Sequence, residues 1–167
     1  SRKKNKLIIV DPKKIDFSPY KGANIITPNF KELLEASKIK KNLKNEYDPN
    51  TVVRLSKELL KKYNFDAIVT TRSSDGISIV DKKNASLHLP SKAQEVFDVS
   101  GAGDTVIAYI ASGVANGRSL FNATEIANDA AGVAVGKFGT TVVNEKDLFS
   151  SNQKNKLCEL KELNNDL

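Results

Sequence analysis

The chain is 167 residues long, 40% hydrophobic and 28% charged, enough apolar material for one globular unit with its own core, which excludes a wholly disordered chain. No run approaches the roughly 20 consecutive apolar residues of a spanning helix, and the lone His88 and Cys158 can build neither an internal disulfide nor a Cys/His zinc cage. Lysine and arginine number 26 against 20 acidic residues, a net charge of +6; this favours anions without choosing among nucleic acid, phosphometabolite and nucleotide.

The single cysteine fits a reducing, cytoplasmic compartment. The chain has no methionine and opens on a lysine-rich run that passes straight into an apolar segment, so it reads as a fragment with no signal peptide. Residues 7–10 form a continuous apolar stretch stopped by Asp11-Pro12, the pattern of a buried parallel strand. Lys21-Gly22 turns the chain into a second such strand at 23–26, and Thr27-Pro28-Asn29 leads into a helix over 30–36. Residues 37–50 read as a solvated linker. Apolar positions Val52, Val53, Leu55, Leu59, Leu60 and Tyr63 fall at helical spacing and predict a helix over 51–63.

A strand at 67–70, a polar turn at 72–76 and a strand at 77–80 predict a hairpin, followed by a turn at 82–84 and a segment at 85–89. From Gly103 the chain is almost uninterruptedly apolar or small up to Asn116-Gly117, the pattern of a buried helix closed by a C-terminal glycine. Ser119 opens another helix. Its small residues Ala123, Ala127, Ala130, Ala131, Gly132, Ala134 and Gly136 allow close packing against a neighbour or a flat ligand. Residues 1–150 read as one folded unit and 151–167 as a polar tail with a helical leucine spacing. Strands alternating with helices predict an α/β fold with a mostly parallel, doubly wound sheet and ligands at the carboxyl ends of its strands.

The stretch that carries chemistry is Val96-Phe97-Asp98-Val99-Ser100-Gly101-Ala102-Gly103-Asp104-Thr105. Gly101, Ala102 and Gly103 can present bare backbone N–H groups where a helix starts, and such amides with the helix dipole hold an anion. Asp104 falls in the first helical turn, where the dipole favours a carboxylate able to take a hydroxyl proton beside that anion.

This stretch resembles the second signature of the ribokinase-like, or PfkB, sugar kinases, and within that family it is most similar to the heptose 7-phosphate kinases. Three further segments carry the resemblance. They are Val10 to Glu32, which includes Asp11-Pro12-Lys13 and Asn29-Phe30-Lys31-Glu32; the turn Thr71-Arg72-Ser73-Ser74-Asp75-Gly76; and Ala130 to Thr140. Together they cover roughly residues 7–148.

The resemblance implies a ribokinase-like three-layer α/β sandwich present only in its carboxyl-terminal half. It also implies ATP- and Mg2+-dependent phosphorylation of a sugar phosphate in ADP-heptose and lipopolysaccharide core synthesis. Asp104 would be the catalytic base, with Gly101, Ala102 and Gly103 as the anion hole. Asn29, Phe30, Lys31, Glu32, Thr71, Arg72, Gly76, Lys137 and Gly139 would lie along ATP and magnesium, with Glu32 acting on the metal through water. A common family pattern has two glycines in the turn after Arg72, and this chain keeps Gly76 alone.

Lys13 is within reach of a phosphate or is simply solvated. His88 and Cys158 are expected to do no chemistry. The absent half would bring the lid through which such kinases commonly pair, so a homodimer concerns the full-length protein. The cut sheet is expected to leave an unpaired edge and weak nucleotide binding in the isolated piece. A ribokinase- or fructokinase-type substrate and a non-catalytic nucleotide-binding module stay open. Neither nucleic acid nor membrane is expected as a partner, since few aromatics interleave the lysine runs.

Overall fold

In a computed structural model of the protein, residues 6–38, 48–93 and 96–150 are described. Their order is β1 (Ile9–Val10), β2 (Ile25–Ile26), α1 (Phe30–Ala36), α2 (Pro49–Tyr63), β3 (Ala67–Thr71), β4 (Ile77–Asp81), β5 (Ser86–Leu89), α3 (Ala102–Ala115) and α4 (Leu120–Val135). The sheet runs β1-β2-β3-β4-β5. The first three strands are parallel, and β4 and β5 each pair antiparallel to the strand before, so all but β4 run in one direction.

Strand side chains alternate between faces, and both faces are apolar. Ile26, Ile68 and Val80 join Leu33, Val52, Leu55 and Leu59 of α1 and α2 in one core. Ile25, Ala67, Val69, Ile77 and Ile79 join Val106 and Ile110 of α3 and Ala127 of α4 in the other. A sheet clad by helix pairs on opposite faces is the three-layer α/β arrangement expected.

Several boundaries differ from the periodicity. The strand expected over 7–10 pairs only at Ile9–Val10, and Leu7 is half exposed. The linker expected over 37–50 ends early, because Asp48 caps α2 by accepting from the N–H groups of Asn50 (3.1 Å) and Thr51 (2.9 Å) and Pro49 occupies the first turn, a position that needs no N–H. Residues 39–47 and the tail with Cys158 lie outside the described residues. The hairpin forms with register Ala67↔Asp81 to Thr71↔Ile77.

α3 closes as its glycine predicts. Gly117 adopts φ +82°, and the N–H groups of Gly117 and Arg118 donate to the carbonyls of Val114 and Gly113, both at 3.0 Å, the reciprocal pair of a left-handed helix end. At Gly113 a Cβ would lie 2.8 Å from Ala123 Cβ, so the small residues there let α3 and α4 nearly touch. Among the described residues no helix is long and apolar enough to cross a membrane.

Candidate functional site at the start of helix α3

The carboxyl ends of β1, β2 and β3 lead into Asp11 to Lys13, Thr27 to Asn29 and Thr71-Arg72, and an isolated parallel bridge between Asn29 and Thr71 extends the ladder toward this end. α3 begins beside them. Its N-terminal cap Gly101 has φ +80° and ψ −2° and offers no side chain to the first turn. A helix start leaves its first N–H groups without intrahelical acceptors. Among the described residues those of Gly103 and Asp104 find none. Gly103 has open space where a Cβ would point.

Two cavities flank this helix start. One, of about 460 Å3, is lined by Thr71, Gly76, Ala102, Gly103, Asn128 and Gly132 among others. The other, of about 350 Å3, is lined by Gly101, Asp104, Tyr109 and Thr140 among others. The three residues of the expected anion hole are therefore divided, Ala102 and Gly103 lining the first hollow and Gly101 the second, to which Asp104 also belongs.

Small residues shape the first cavity. Gly76, at φ +88°, lies so close to β5 that a Cβ would come within 2.1 Å of the Leu89 carbonyl oxygen. At Gly132 a Cβ would lie 3.0 Å from the backbone carbon of Lys92, so α4 and the strand-exit chain approach without a side chain between them. Asn128 is 4% exposed, and its Nδ2 donates to the Pro90 carbonyl at 2.8 Å. That carbonyl can only accept, which fixes the amide orientation and leaves Oδ1 as the group Asn128 can offer a ligand. Sequence reasoning missed Asn128; its signal is an amide between the small residues Ala127 and Ala130 on the buried side of α4.

On the β1–β2 side, Asn29 and Glu32 form a reciprocal capping box. Asn29 Oδ1 accepts from the Glu32 N–H (2.9 Å), and Glu32 Oε2 accepts from the Asn29 N–H (2.8 Å), which fixes both side chains at the start of α1. Between them, Phe30 packs against the α1–α2 core and Lys31 is exposed. Lys13 Nζ donates to Asp11 Oδ2 at 2.6 Å. That hydrogen bond and the Asp11 charge raise the ammonium above its ordinary range, with smaller contributions from Asp104 and Glu32. Among the described residues no three His, Cys, Asp or Glu side chains cluster as a metal cage.

Other expected contacts lie elsewhere. Arg72 is buried; burial pushes its guanidinium below the usual range, Nη2 donates to the Leu89 carbonyl at 3.4 Å and Nε has no partner. Its main-chain N–H closes the turn onto Gly76. Lys137 pairs with Asp147 at 2.9 Å, and Gly139, at φ +69°, donates its N–H to Asp98 Oδ2 at 3.1 Å. Arg72, Lys137 and Gly139 are absent from the linings of both cavities, as are Asn29, Phe30, Lys31 and Glu32, so that of the residues expected along ATP and magnesium only Thr71 and Gly76 line one. His88 sits against Ser78, with Nδ1 2.7 Å from Oγ.

The chain is 43% identical over 150 residues to the bifunctional protein HldE of Rhodospirillum rubrum, covering 90% of this chain and 29% of that protein. It is 44% identical over 151 residues to HldE of Shewanella baltica, covering 90% and 30%. The chain thus spans about 30% of the length of these relatives. Among solved structures it is similar to Arabidopsis thaliana ribokinase complexed with ribose and ATP, with TM-score 0.76 and 19% identity over 89% of this chain and 48% of that one. Escherichia coli phosphofructokinase-2 gives TM-score 0.76 and 18% identity over 89% and 47%. These two share the ribokinase-like fold. Since the model of the pfkB family carbohydrate kinases matches residues 2–147, the chain belongs to that family.

Proposed function

We propose that this chain supplies the phosphoryl-transfer half of an ATP-dependent sugar-phosphate kinase, with D-glycero-β-D-manno-heptose 7-phosphate as acceptor and the 1,7-bisphosphate as product, in the cytoplasmic synthesis of ADP-heptose. Residues 1–150 form the kinase portion in this reading and 151–167 a tail. The heptose acceptor follows from the resemblance over residues 7–148, and the 43% identity to HldE supports it.

The observation that supports the reading is an uncapped helix start shared by two cavities, with Ala102 and Gly103 lining one and Gly101 and Asp104 the other. In that geometry the Asp104 carboxylate takes the proton of the sugar's anomeric hydroxyl while the oxygen bonds to the γ-phosphorus. The bond from phosphorus to the bridging oxygen breaks, and ADP leaves. The amides of Gly101 and Gly103 hold the charge on the transferring group, while that of Ala102, expected with them, already donates to the Val99 carbonyl at 3.3 Å; positioning with charge neutralisation is most of what phosphoryl transfer requires.

Bound magnesium would neutralise phosphate charge. The residues present fit it: Glu32 keeps Oε1 beyond its capping bond, and Mg2+ characteristically takes one or two carboxylates, retained water and substrate phosphates rather than a protein cage. The larger cavity suits the nucleotide, with Thr71 and Gly76 on its wall and the Asn128 carbonyl oxygen ready for an N–H of the base. Lys137, Gly139 and Arg72 then act on its surroundings.

The test is Asp104→Asn in the full-length protein. We expect ATP binding to be kept and turnover to fall by about 10²–10⁴-fold, the range of a general base. Near-normal turnover in that variant overturns the assignment.

A further inference from the structure

We infer that Tyr109 is a positioning residue of this site: its hydroxyl fastens the chain that follows α4 along the cavity of Asp104, and that chain steadies the start of α3. The inference rests on the kinase reading above and deepens it.

The chain from 138 to 144 buries little of itself. Phe138 and Val142 are 80% and 87% exposed, and Val143 turns inward at 7%, where it packs with Ala130 and Ala134 and against Tyr109. Main-chain hydrogen bonds hold the segment near both ends. The Gly139 N–H donates to Asp98 Oδ2 at 3.1 Å, and the Val143 carbonyl accepts from the Tyr109 hydroxyl at 2.9 Å.

Between those two points the segment meets the reacting neighbourhood directly. Thr140 to Val143 line the same cavity as Asp104 and Tyr109. A Cβ at Gly101 would lie 2.7 Å from Thr140 Cγ2, so the threonine methyl rests on the cap residue of α3. A carbonyl released at Val143 therefore loosens both a wall of the Asp104 cavity and the support under the first turn of the helix. The larger cavity contains neither Tyr109 nor any of these residues, so nucleotide binding is spared.

The ring of Tyr109 is held independently of its hydroxyl. It packs against the sheet-side core and against the cluster of Ala130, Ala134 and Val143, so Tyr109→Phe removes the donor and leaves the packing. The pair of Lys137 with Asp147 still brackets the segment, so the variant loosens the chain rather than freeing it.

The experiment uses the full-length protein, with steady-state kinetics well below the melting temperature, ATP affinity by calorimetry, a thermal melt and amide hydrogen exchange. Tyr109→Phe should lower kcat by about 10-fold, less than the ~10²-fold that a 1 Å misplacement can cost. ATP affinity should be kept, and exchange over 140–143 should accelerate. Thr140→Ser, which deletes the methyl resting on Gly101, should cause a loss of the same kind, and the two together should cost less than the product of the single losses, because they act through one contact chain. An unchanged kcat in Tyr109→Phe, a change confined to the KM for ATP, unaltered exchange, or losses that simply multiply overturns the inference. A purely structural tyrosine would lower the melt and leave kcat alone. Asp104→Asn is measured alongside: if it stays active the kinase reading itself fails, whereas an inactive Asp104→Asn beside a fully active Tyr109→Phe sinks the tyrosine alone.

Discussion

Two glycines in one cavity wall should respond oppositely to the same added methyl group. At Gly103 a Cβ points into open space with no heavy atom within 4 Å, and the residue lies inside α3. Gly103→Ala therefore relieves the entropic penalty of a helical glycine and should stabilise the fold by up to about 1 kcal/mol, or about 2–4 °C in melting temperature. That methyl, however, stands where the phosphate must approach the amides. The expected loss in turnover is about 10²–10³-fold, the cost of disabling one such donor.

Gly76→Ala is the structural counterpart. Its Cβ would meet backbone atoms of Leu89, Pro90 and Ser91 at 2.1 to 2.6 Å, at φ +88°. Strain at a glycine-only backbone conformation costs about 1–3 kcal/mol and overpacking about 1–3 more, a large part of a typical domain's stability. The assay pairs thermal melting with ADP release in the full-length protein. A Gly103→Ala variant that is at least as stable as wild type and turns over at the wild-type rate refutes the bare-amide cradle, whatever Gly76→Ala does.

Asn29→Ala removes one half of the α1 capping box and should cost about 0.5–2 kcal/mol in denaturant unfolding; it should also release Glu32, weakening the magnesium dependence of turnover. Burial, with the Arg72 guanidinium adding to it, holds the His88 imidazole below its ordinary value of 6.5. The unfolded chain then takes up the proton first, so this contribution to stability is present above about pH 6.5 and is lost as pH falls through the lower folded-state value. A melt series from pH 7.5 to about 5 should show the decline, and His88→Gln should flatten it. Asp98 accepts from the N–H groups of Ser100 (2.8 Å) and Gly139 (3.1 Å), tying the loop before α3 to the chain after α4. Asp98→Ala should accelerate amide hydrogen exchange at Gly139, and unchanged exchange would remove the tether from the account.

The residues of α2 show how far local pattern reaches. Its apolar spacing dictated a helix because Val52, Leu55, Leu59, Leu60 and Tyr63 line one face and are buried together with Ser56, while Val53 lies at the edge of that face. The same holds for the hairpin of β3 and β4 and for the glycine that closes α3, since turn chemistry and side-chain alternation act within a few residues. The helix start at Gly101 was legible for the same reason: a glycine pair before an apolar helix can leave bare amides wherever the chain is folded.

What each charged or polar side chain faces was settled only by the tertiary structure. Arg72, one residue from the cavity wall, is drawn inward to Leu89, seventeen positions along the chain. Lys137 is taken by Asp147, and Asn128 is aimed by Pro90, thirty-eight positions away. The physical reason is range: backbone preference and hydrophobic period are fixed by near neighbours, whereas the partner of a long polar side chain depends on which distant carbonyl or carboxylate the packed layers bring within hydrogen-bond reach.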